Sequence, residues 1–252
     1  MKKLNLTFLF VLLAGFFLTQ VEANAQEKTE KKWKTLAELY LMFPNMKGDV
    51  GIRSLPSVSV DADESDILGN LKFGAMLYVE ANNGDWAIGN DIIYMKLEQG
   101  LEASRVITGG KATVEEFAWE LSGLKRVSPV FELGFGTRLM SVGADLEVQG
   151  SEEFRTASIS KTWIDPILIA RTQGKFHEKW LWQVRGDIGG AGIGSQITWQ
   201  AQAYAGYQFS KTFQTTIGYR YIGVNYDKGE GDERFRYDID TYGWVMRLGF
   251  NF

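Results

Sequence analysis

The chain contains few residues of the kind that perform acid–base or nucleophilic chemistry. His177 is the only histidine, and the 252 residues include no cysteine. His177 lies in the polar segment 174–179, GKFHEK, which indicates a solvated turn between two strands. Catalysis by a histidine beside a carboxylate or a serine is therefore not expected. Two carboxylates can act without histidine, but no spacing in the sequence singles out a pair.

Two other motifs have some features of ligand sites. The glycine-rich run 189–194, GGAGIG, lacks a third glycine at the position of Ser195, which a dinucleotide fingerprint requires together with a following helix. We predict a tight turn there. One acidic cluster has enough oxygen ligands for calcium but not the glycine-centred spacing of a calcium loop, and consists of Asp61, Asp63, Glu64 and Asp66. We predict a solvated loop, no metal site and no cofactor.

The remaining candidates are charged residues at alternate positions of apolar segments. Thirteen share the polar faces of the predicted strands: Lys72, Glu80, Asp91, Glu116, Glu120, Glu132, Arg138, Asp165, Arg171, Arg185, Asp187, Arg220 and Arg247. A selectivity lining or a catalytic carboxylate pair would use such residues. The basic and acidic members are nearly balanced, whereas an ion-selective lining carries one sign. Because unpaired charge in a confined space is costly, the balance favours an internal ion-pair network.

Alternating apolar and polar residues predict the strands that position these charges. In the last segment, Trp244, Met246 and Leu248 share one face, and Arg247 lies on the other. The first segment is ambiguous, because residues 27–45 also fit a periplasmic amphipathic helix that Pro44 interrupts. Ten segments follow the alternation, at residues 33–52, 70–81, 86–98, 112–124, 129–147, 160–173, 180–189, 196–209, 213–226 and 235–252.

The N-terminal segment predicts export. Lys2 and Lys3 precede an apolar run, and Ala23 and Ala25 mark a small-residue cleavage site, so residues 1–25 are predicted to be a signal peptide and 26–252 the mature domain. The mature part has no further apolar run of about 20 residues, the length of a spanning helix. Its strand faces are rich in aromatic residues, with 8 Trp, 10 Tyr and 16 Phe in the chain.

These features predict an all-β fold, an antiparallel up-and-down transmembrane β-barrel of about ten strands, within a range of roughly 8–12. The apolar faces would contact lipid, and the polar faces would line the lumen. The linkers alternate between short ones and longer acidic or glycine-rich ones, which are typical of periplasmic turns and outer loops respectively. A periplasmic sandwich or a lipocalin-like barrel is the alternative fold.

The end of the chain carries an assembly motif. Gly243, Met246, Leu248, Phe250 and Phe252 form the pattern GxxMxLxFxF. This pattern is similar to the C-terminal β-signal that the outer-membrane assembly machinery recognises. The similarity implies that this machinery is a partner of the chain.

Further segments resemble a widespread family of uncharacterised Gram-negative outer-membrane β-barrel proteins. They include WIDP at 163–166, RGDIGG at 185–190, TWQ at 198–200, GYRY at 218–221 and DILGNL at 66–71. The resemblance implies a barrel in the cell outer membrane. It brings no established activity, so no catalytic residue follows from it.

Taken with the candidate residues, these features predict a monomeric barrel with a packed polar lumen, a structural or surface-interaction role and no enzymatic activity. Outer-membrane lipid is the expected surrounding. The net charge of −4 without a basic stripe argues against nucleic acid as a partner. A narrow channel for small solutes and an outer-membrane hydrolase remain the alternative functions.

Overall fold

Ten long antiparallel strands close into a barrel in the computed structural model, which describes residues 32–52, 57–100, 107–150 and 154–252. The predicted signal peptide, with Ala23 and Ala25, lies outside the described residues. The elements are β1 (Lys34–Ile52), β2 (Val58–Ala62), α1 (Glu64–Gly69), β3 (Leu71–Asn82), β4 (Trp86–Gly100), β5 (Ile107–Arg126), β6 (Phe131–Gly150), β7 (Phe154–Lys175), β8 (Trp180–Gly190), β9 (Ile197–Gln208), β10 (Phe213–Lys228), a 3₁₀ turn (Gly231–Glu233) and β11 (Phe235–Asn251).

The strands follow one another around the barrel in chain order. β11 pairs with β1 from Leu36↔Asn251 to Ile52↔Phe235, which closes the sheet and leaves no free edge at the seam. The predicted up-and-down barrel of ten strands is confirmed. Among the described residues, no helix combines the length and the hydropathy needed to cross a membrane.

Between β1 and β3 the chain adds two elements that the sequence pattern did not predict. β1 pairs with β3 only from Lys34↔Asn82 to Leu39↔Leu77, and farther along it pairs with the short strand β2. α1 follows β2 and is a single short helix whose one buried residue is Ile67. The segment had been predicted to be an outer loop, because five strand residues are too few for the alternation to stand out.

The acidic cluster of this segment has a local structural role. Asp63 is the N-cap of α1, where its side chain accepts from the backbone N–H groups of Ser65 and Asp66, and the Asp66 side chain completes a capping box. Hydrogen bonds from the Ser65 hydroxyl and the Asp66 backbone lower the pKa of Asp63. Asp61 lies 3.8 Å from Lys47. Asp61, Asp63 and Asp66, three of the four carboxylates in the cluster, therefore have partners within the protein.

The ambiguous first segment is a strand. Leu39, Leu41 and Phe43 are exposed on the outside, whereas Tyr40 and Met42 are buried inside. This alternation has a period of two, and β1 has strand partners on both sides. The helical alternative was therefore wrong for residues 34–45.

Two belts of aromatic side chains lie on the outside of the barrel along β9, β10 and β11. At the end with the short turns, ring contacts at 5.0–5.6 Å join Tyr207, Phe209, Phe213 and Phe250. At the other end, Tyr221 stacks between Trp199 and Tyr242 at 4.8 and 5.2 Å. On β9, β10 and β11 the two belts are eight residues apart, close to the length of about 9–11 residues that a tilted strand needs to cross a bilayer. The apolar band between the belts is the part that faces lipid.

Ala203 lies midway between the belts on β9 and is exposed, so it tests the position of the band. We expect Ala203→Arg to lower the free energy of unfolding in lipid vesicles by about 2–4 kcal/mol, the cost of a cation at the bilayer midplane. Ala203→Leu, the control, should leave it unchanged or higher. An equal effect of both substitutions would show that this face does not contact lipid.

Candidate functional site

A layer of polar side chains fills the middle of the barrel. We call it the central layer, and every one of the ten barrel strands contributes to it. Its members are all buried, and they are Glu38, Tyr40, Tyr78, Glu80, Asp91, Glu120, Glu132, Arg138, Arg171, Arg185, Asp187, Gln200, Gln202, Tyr204, Arg220 and Arg247. Two-residue alternation aims each of these side chains inward, while its neighbours along the strand face lipid.

Two arginines share two carboxylates on one side of the layer. Arg138 Nη2 donates to Glu120 Oε2 and to Asp187 Oδ1, both at 2.7 Å. Arg185 Nη2 donates to the other oxygens of the same two residues, Glu120 Oε1 and Asp187 Oδ2. Each carboxylate thus bridges two guanidinium groups, and the four charges cancel within one buried cluster.

A second cluster is built around Arg220. Its Nη1 lies 3.0 Å from Asp91 Oδ2 and donates to Tyr40 Oη at 3.0 Å, while the Tyr40 hydroxyl donates to Asp91 Oδ1 at 2.5 Å. Its Nε donates to Gln200 Oε1 at 2.8 Å. Gln200 in turn donates to Asp187 Oδ2 at 3.1 Å, so this amide connects the first cluster to the second.

Arg171 crosses the lumen from β7 to β3. Its Nε donates to Glu132 Oε2 at 2.6 Å, and its Nη1 forms an ion pair with Glu80. The Tyr78 hydroxyl also donates to Glu80, at 2.6 Å. Because β3 and β7 are far apart around the wall, this arginine occupies space in the lumen that the wall itself does not fill.

Arg247 completes the layer beside the seam. It donates to Glu38 Oε2 at 3.0 Å and to Tyr204 Oη at 2.9 Å. Its guanidinium also lies over three tyrosine rings, at 4.1 Å from Tyr204, 5.1 Å from Tyr40 and 5.5 Å from Tyr78. Such cation–π contacts add to the ion pair when water is excluded.

Of the thirteen charges that the sequence predicted to point inward, ten belong to the central layer. Lys72 was wrongly included: it is exposed and lies 3.4 Å from Glu98. The register of β3 shifts between Leu71 and Phe73, so the simple alternation does not extend to Lys72. Glu38 was missed: residues 33–52 were counted as a strand, but no inward face was assigned to them while a helix remained possible for residues 27–45.

Asp165 and Glu116 are inward but lie outside the arginine clusters. Asp165 is fully buried and accepts from the Ser195 backbone N–H at 2.6 Å and from Trp163 Nε1 at 3.1 Å. It therefore holds the turn after β8 in place. Glu116 accepts from the Tyr237 hydroxyl at 3.3 Å, and no lysine or arginine among the described residues forms an ion pair with it.

The outer part of the interior is apolar, which the sequence analysis did not predict. A cluster of inward side chains fills it, including Met140, Trp163, Val224, Phe235 and Ile239. In β11 the alternation reverses along the strand: residues 235–239 bury their apolar side chains inside, whereas residues 244–250 expose theirs to lipid. The predicted packed polar interior is therefore correct for the middle of the barrel only.

Two cavities lie on opposite sides of the central layer. A cavity of about 30 Å³ between the layer and the apolar cluster is lined by Asp91, Glu116 and Met140 among others, and has room for a water molecule or two. A larger cavity of about 430 Å³ lies at the end with the short turns.

The candidate catalytic and ligand motifs of the sequence have structural roles among the described residues. His177 has φ 76° in the turn between β7 and β8, at the opposite end from the outer loops. The run 189–194 comprises the end of β8 and the tight turn predicted there, in which Gly190, Ala191 and Gly192 have positive φ, and β9 follows the turn. In the described part of the chain no group of three or more His, Asp or Glu residues is placed to hold a metal ion.

Comparisons with known proteins give structural neighbours only. No family model matches the chain, and no curated protein matches its sequence. The structure aligns with the outer membrane protease OmpT of Escherichia coli over 90% of this chain and 98% of that chain, at 8% identity and a TM-score of 0.48. It aligns with the attachment invasion locus protein Ail of Yersinia pestis over 87% and 98%, at 12% identity and a TM-score of 0.36.

At such similarity, nothing known of these proteins carries over to this one. The location of the chain follows from its own surface, in which a closed barrel presents an apolar band between two aromatic belts. The protein is an outer-membrane β-barrel. In that setting, the polar groups of the central layer are enclosed by the wall and by the lipid around it.

Arg220 tests the energetic importance of the layer. We expect Arg220→Ala to destabilise the barrel by about 3–5 kcal/mol, because Asp91 and Gln200 lose their shared partner in a buried site. The control is Arg234→Ala, which breaks the exposed pair with Asp227 at 2.7 Å and should change stability by less than about 1 kcal/mol. Equal unfolding free energies for the two variants would contradict a buried network.

Glu116 and Glu120 form a matched pair of carboxylates on β5. Glu120→Gln should destabilise the barrel, because two buried arginines lose a charged partner. Glu116→Gln should be neutral or stabilising at pH 7, because it removes a partly buried charge that has no cationic partner among the described residues. Urea unfolding in vesicles measures both, and a larger loss for Glu116→Gln would contradict this account.

Proposed function

We propose that the protein is a closed, non-conducting barrel with a structural or surface-interaction role and no catalytic activity. The central layer is the observation that supports this proposal. Ten strands contribute interlocked side chains to it, and its members are at most 7% exposed. A solute passing along the barrel axis would have to break several buried ion pairs at once.

A narrow channel for small solutes is less consistent with these contacts. A conducting pore needs sites that an ion can enter and leave, and its lining usually has one sign of charge. Here the charges cancel within each cluster, and Arg171 extends across the lumen between Glu80 and Glu132. The cavities on the two sides of the layer have no lining residue in common.

A hydrolase acting at the outer rim also lacks support from the described residues. The histidine lies at the opposite end, and the inward carboxylates of the central layer are bound to arginines. The outer part of the interior is packed with apolar side chains, and Glu116, which has no ion pair with a described residue, accepts from the Tyr237 hydroxyl beside a cavity of only about 30 Å³. A general base would need a carboxylate that is free to reach substrate.

The outer extension of the wall is the surface that such a barrel presents. β5, β6 and β7 are 20, 20 and 22 residues long, about twice what the bilayer requires. Exposed ion pairs follow the outside of this extension, such as Lys96 with Glu115 at 2.6 Å and Lys111 with Glu147 at 3.6 Å. A charged and rigid wall of this kind suits contact with other molecules at the cell surface better than transport.

Conductance tests the proposal directly. The purified protein in planar bilayers should show no steady single-channel steps. A variant without the first cluster, with Glu120, Arg138, Arg185 and Asp187 all changed to Ser, should show steps if it folds, which its heat-modifiable mobility on a gel would establish. Steady steps from the wild type, unchanged in the variant, would refute a closed lumen and favour the channel.

The C-terminal motif supports recognition by the assembly machinery. Met246, Leu248, Phe250 and Phe252 are all exposed on the lipid face of the last strand. Gly243 lies in the seam, where a Cβ atom would be 1.9 Å from the Phe43 carbonyl oxygen, so β1 and β11 can approach only if this residue is glycine.

Substitution of Phe252 distinguishes recognition by the assembly machinery from the stability of the pairing between β1 and the end of the chain. The Phe252 backbone N–H donates to the Thr35 carbonyl at 2.8 Å, and its carbonyl accepts from the Thr35 N–H at 3.2 Å. Phe252→Ala keeps both bonds and removes only the ring, so we expect less folded protein in the outer membrane with unchanged stability after refolding in vitro. If Phe252→Ala assembles normally but deletion of residue 252 impairs assembly, the backbone hydrogen bonds with Thr35 and not the ring are what assembly requires.

A further inference from the structure

The larger cavity is a second polar site, on the side of the central layer away from the apolar cluster. It opens at the end with the short turns, which is the periplasmic end of an outer-membrane barrel. Its walls come from the first residues of β1, the last of β3, β5 and β11, and the facing ends of β7 to β10. With about 430 Å³ it is within the size range of ligand pockets and has room for on the order of a dozen water molecules.

The cavity is a dead end if the proposed function is correct. Glu38, Glu80 and Arg247 belong to the central layer and also line the cavity, so the layer forms its floor. If the cavity were the entrance of a conducting pore, it would continue beyond these three residues into the outer part of the barrel. A closed floor under an open mouth gives a binding pocket that is reached from the periplasm alone.

The mouth of the cavity is positive. Its lining includes four basic residues, Lys34, Arg126, Lys175 and Arg247, and two acidic ones. Arg247 is paired with Glu38, and Arg126 with Glu132. Lys34 and Lys175 form no ion pair with a described residue, and Lys175 Nζ donates to the Gln208 amide oxygen at 2.6 Å. Two ammonium groups are thus available to an anionic group at the entrance.

The walls are rich in side-chain amides. Gln183 Nε2 donates to Gln173 Oε1 at 3.1 Å, and Asn251 Nδ2 donates to Gln214 Oε1 at 3.2 Å. Each amide has two N–H donors and an oxygen with two lone pairs, so these bonds leave capacity for a ligand. Amides pair well with peptide groups, because both supply a donor and an acceptor.

Two buried donors at the cavity have no partner. The Thr216 hydroxyl and Arg247 Nε make no hydrogen bond, although both residues line the cavity and are at least nine-tenths buried. An unsatisfied buried donor costs roughly 1–3 kcal/mol. Both atoms are enclosed by their neighbours, so an oxygen-rich ligand would supply the missing acceptors only after these side chains move.

We propose that this cavity binds a short peptide with free carboxylates from the periplasm. The lysines at the mouth would hold a carboxylate, and the amides of the wall would pair with the peptide groups. The cavity volume suits about three residues of small size. This site is independent of any activity of the outer loops.

The test uses the mature protein in detergent micelles and titration calorimetry. The probe is acetyl-Ala-Glu-Ala with a free C-terminus, compared with the neutral acetyl-Ala-Gln-Ala amide and with inorganic phosphate. We expect saturable binding of the acidic peptide, at least tenfold weaker binding of the neutral one, and weaker binding of phosphate, which cannot use the amides. Equal affinity for the neutral peptide or for phosphate would overturn the proposed ligand class.

Variants assign the binding to this cavity. Lys34→Gln with Lys175→Gln should weaken binding of the acidic peptide about tenfold, whereas Lys211→Gln, in the exposed turn between β9 and β10, should not change it. Unchanged affinity in the lysine double variant would place the peptide elsewhere and refute the site.

Conductance recorded on the same preparation separates this inference from the proposed function. A non-conducting protein that binds no acidic peptide refutes the pocket and leaves the closed barrel intact. A conducting protein refutes the closed barrel. In that case, peptide binding that still depends on Lys34 and Lys175 supports the site, and binding that does not depend on them refutes it.

Discussion

A charged side chain enclosed in a membrane barrel needs a partner of opposite charge within hydrogen-bond distance, and this constraint determines how the interior of the protein is arranged. Lipid surrounds the wall, so a buried arginine cannot turn outward to water, and its desolvation must be offset by carboxylates placed within hydrogen-bond distance. The central layer meets this requirement through sharing: Glu120 and Asp187 each serve both Arg138 and Arg185, and Gln200 connects that pair to Arg220. Because the partners lie on different strands, the pairs fix the strands relative to one another as well as filling the lumen.

The same physics accounts for the reversal of the side-chain pattern along the strands. Between the aromatic belts the outside is lipid, so apolar residues face outward and polar residues pair inside. Beyond the outer belt the outside is water, and β11 buries Phe235, Tyr237 and Ile239 inside the barrel while Arg236 and Asp238 face out. In the membrane the apolar side chains therefore face outward and the polar ones inward. Above the membrane the barrel has an apolar core, as in a water-soluble protein. The apolar cluster of the outer part closes that end, and the central layer closes the middle.

Much of this architecture could be predicted from the sequence, because alternation with a period of two is a local signal. It located the ten barrel strands and placed ten of the central-layer charges on inward faces. The pairing of those charges could not be predicted, because it depends on register and on which strands face each other across the lumen. Arg171 shows this, since its partner Glu80 is 91 positions away in the chain. Lys72 was misplaced by a local register shift, and Glu38 was missed because Pro44 made the first strand look interrupted.

The reversed pattern above the membrane also escaped prediction, although its signal is present. Residues 235–240 alternate as clearly as residues 244–250, but with the apolar residues on the opposite face. The sequence analysis assumed that each strand keeps its apolar residues on one face along its whole length, so it could not detect a strand whose apolar residues change face. The cavity at the periplasmic end had no sequence signal at all, since it forms where the ends of eight strands carry amides, lysines and two glycines.

The most direct test of a dry, interlocked central layer is a double-mutant cycle on the pair that crosses the lumen, Arg171 and Glu80. The unfolding free energies of Arg171→Met, Glu80→Gln and the double variant in lipid vesicles give the coupling energy between the two side chains. A pair enclosed without water should couple by about 1.5 kcal/mol or more, in the range measured for close, desolvated charge pairs. A coupling energy near zero, as in a solvated surface pair, would mean that water fills the lumen and would contradict the closed barrel.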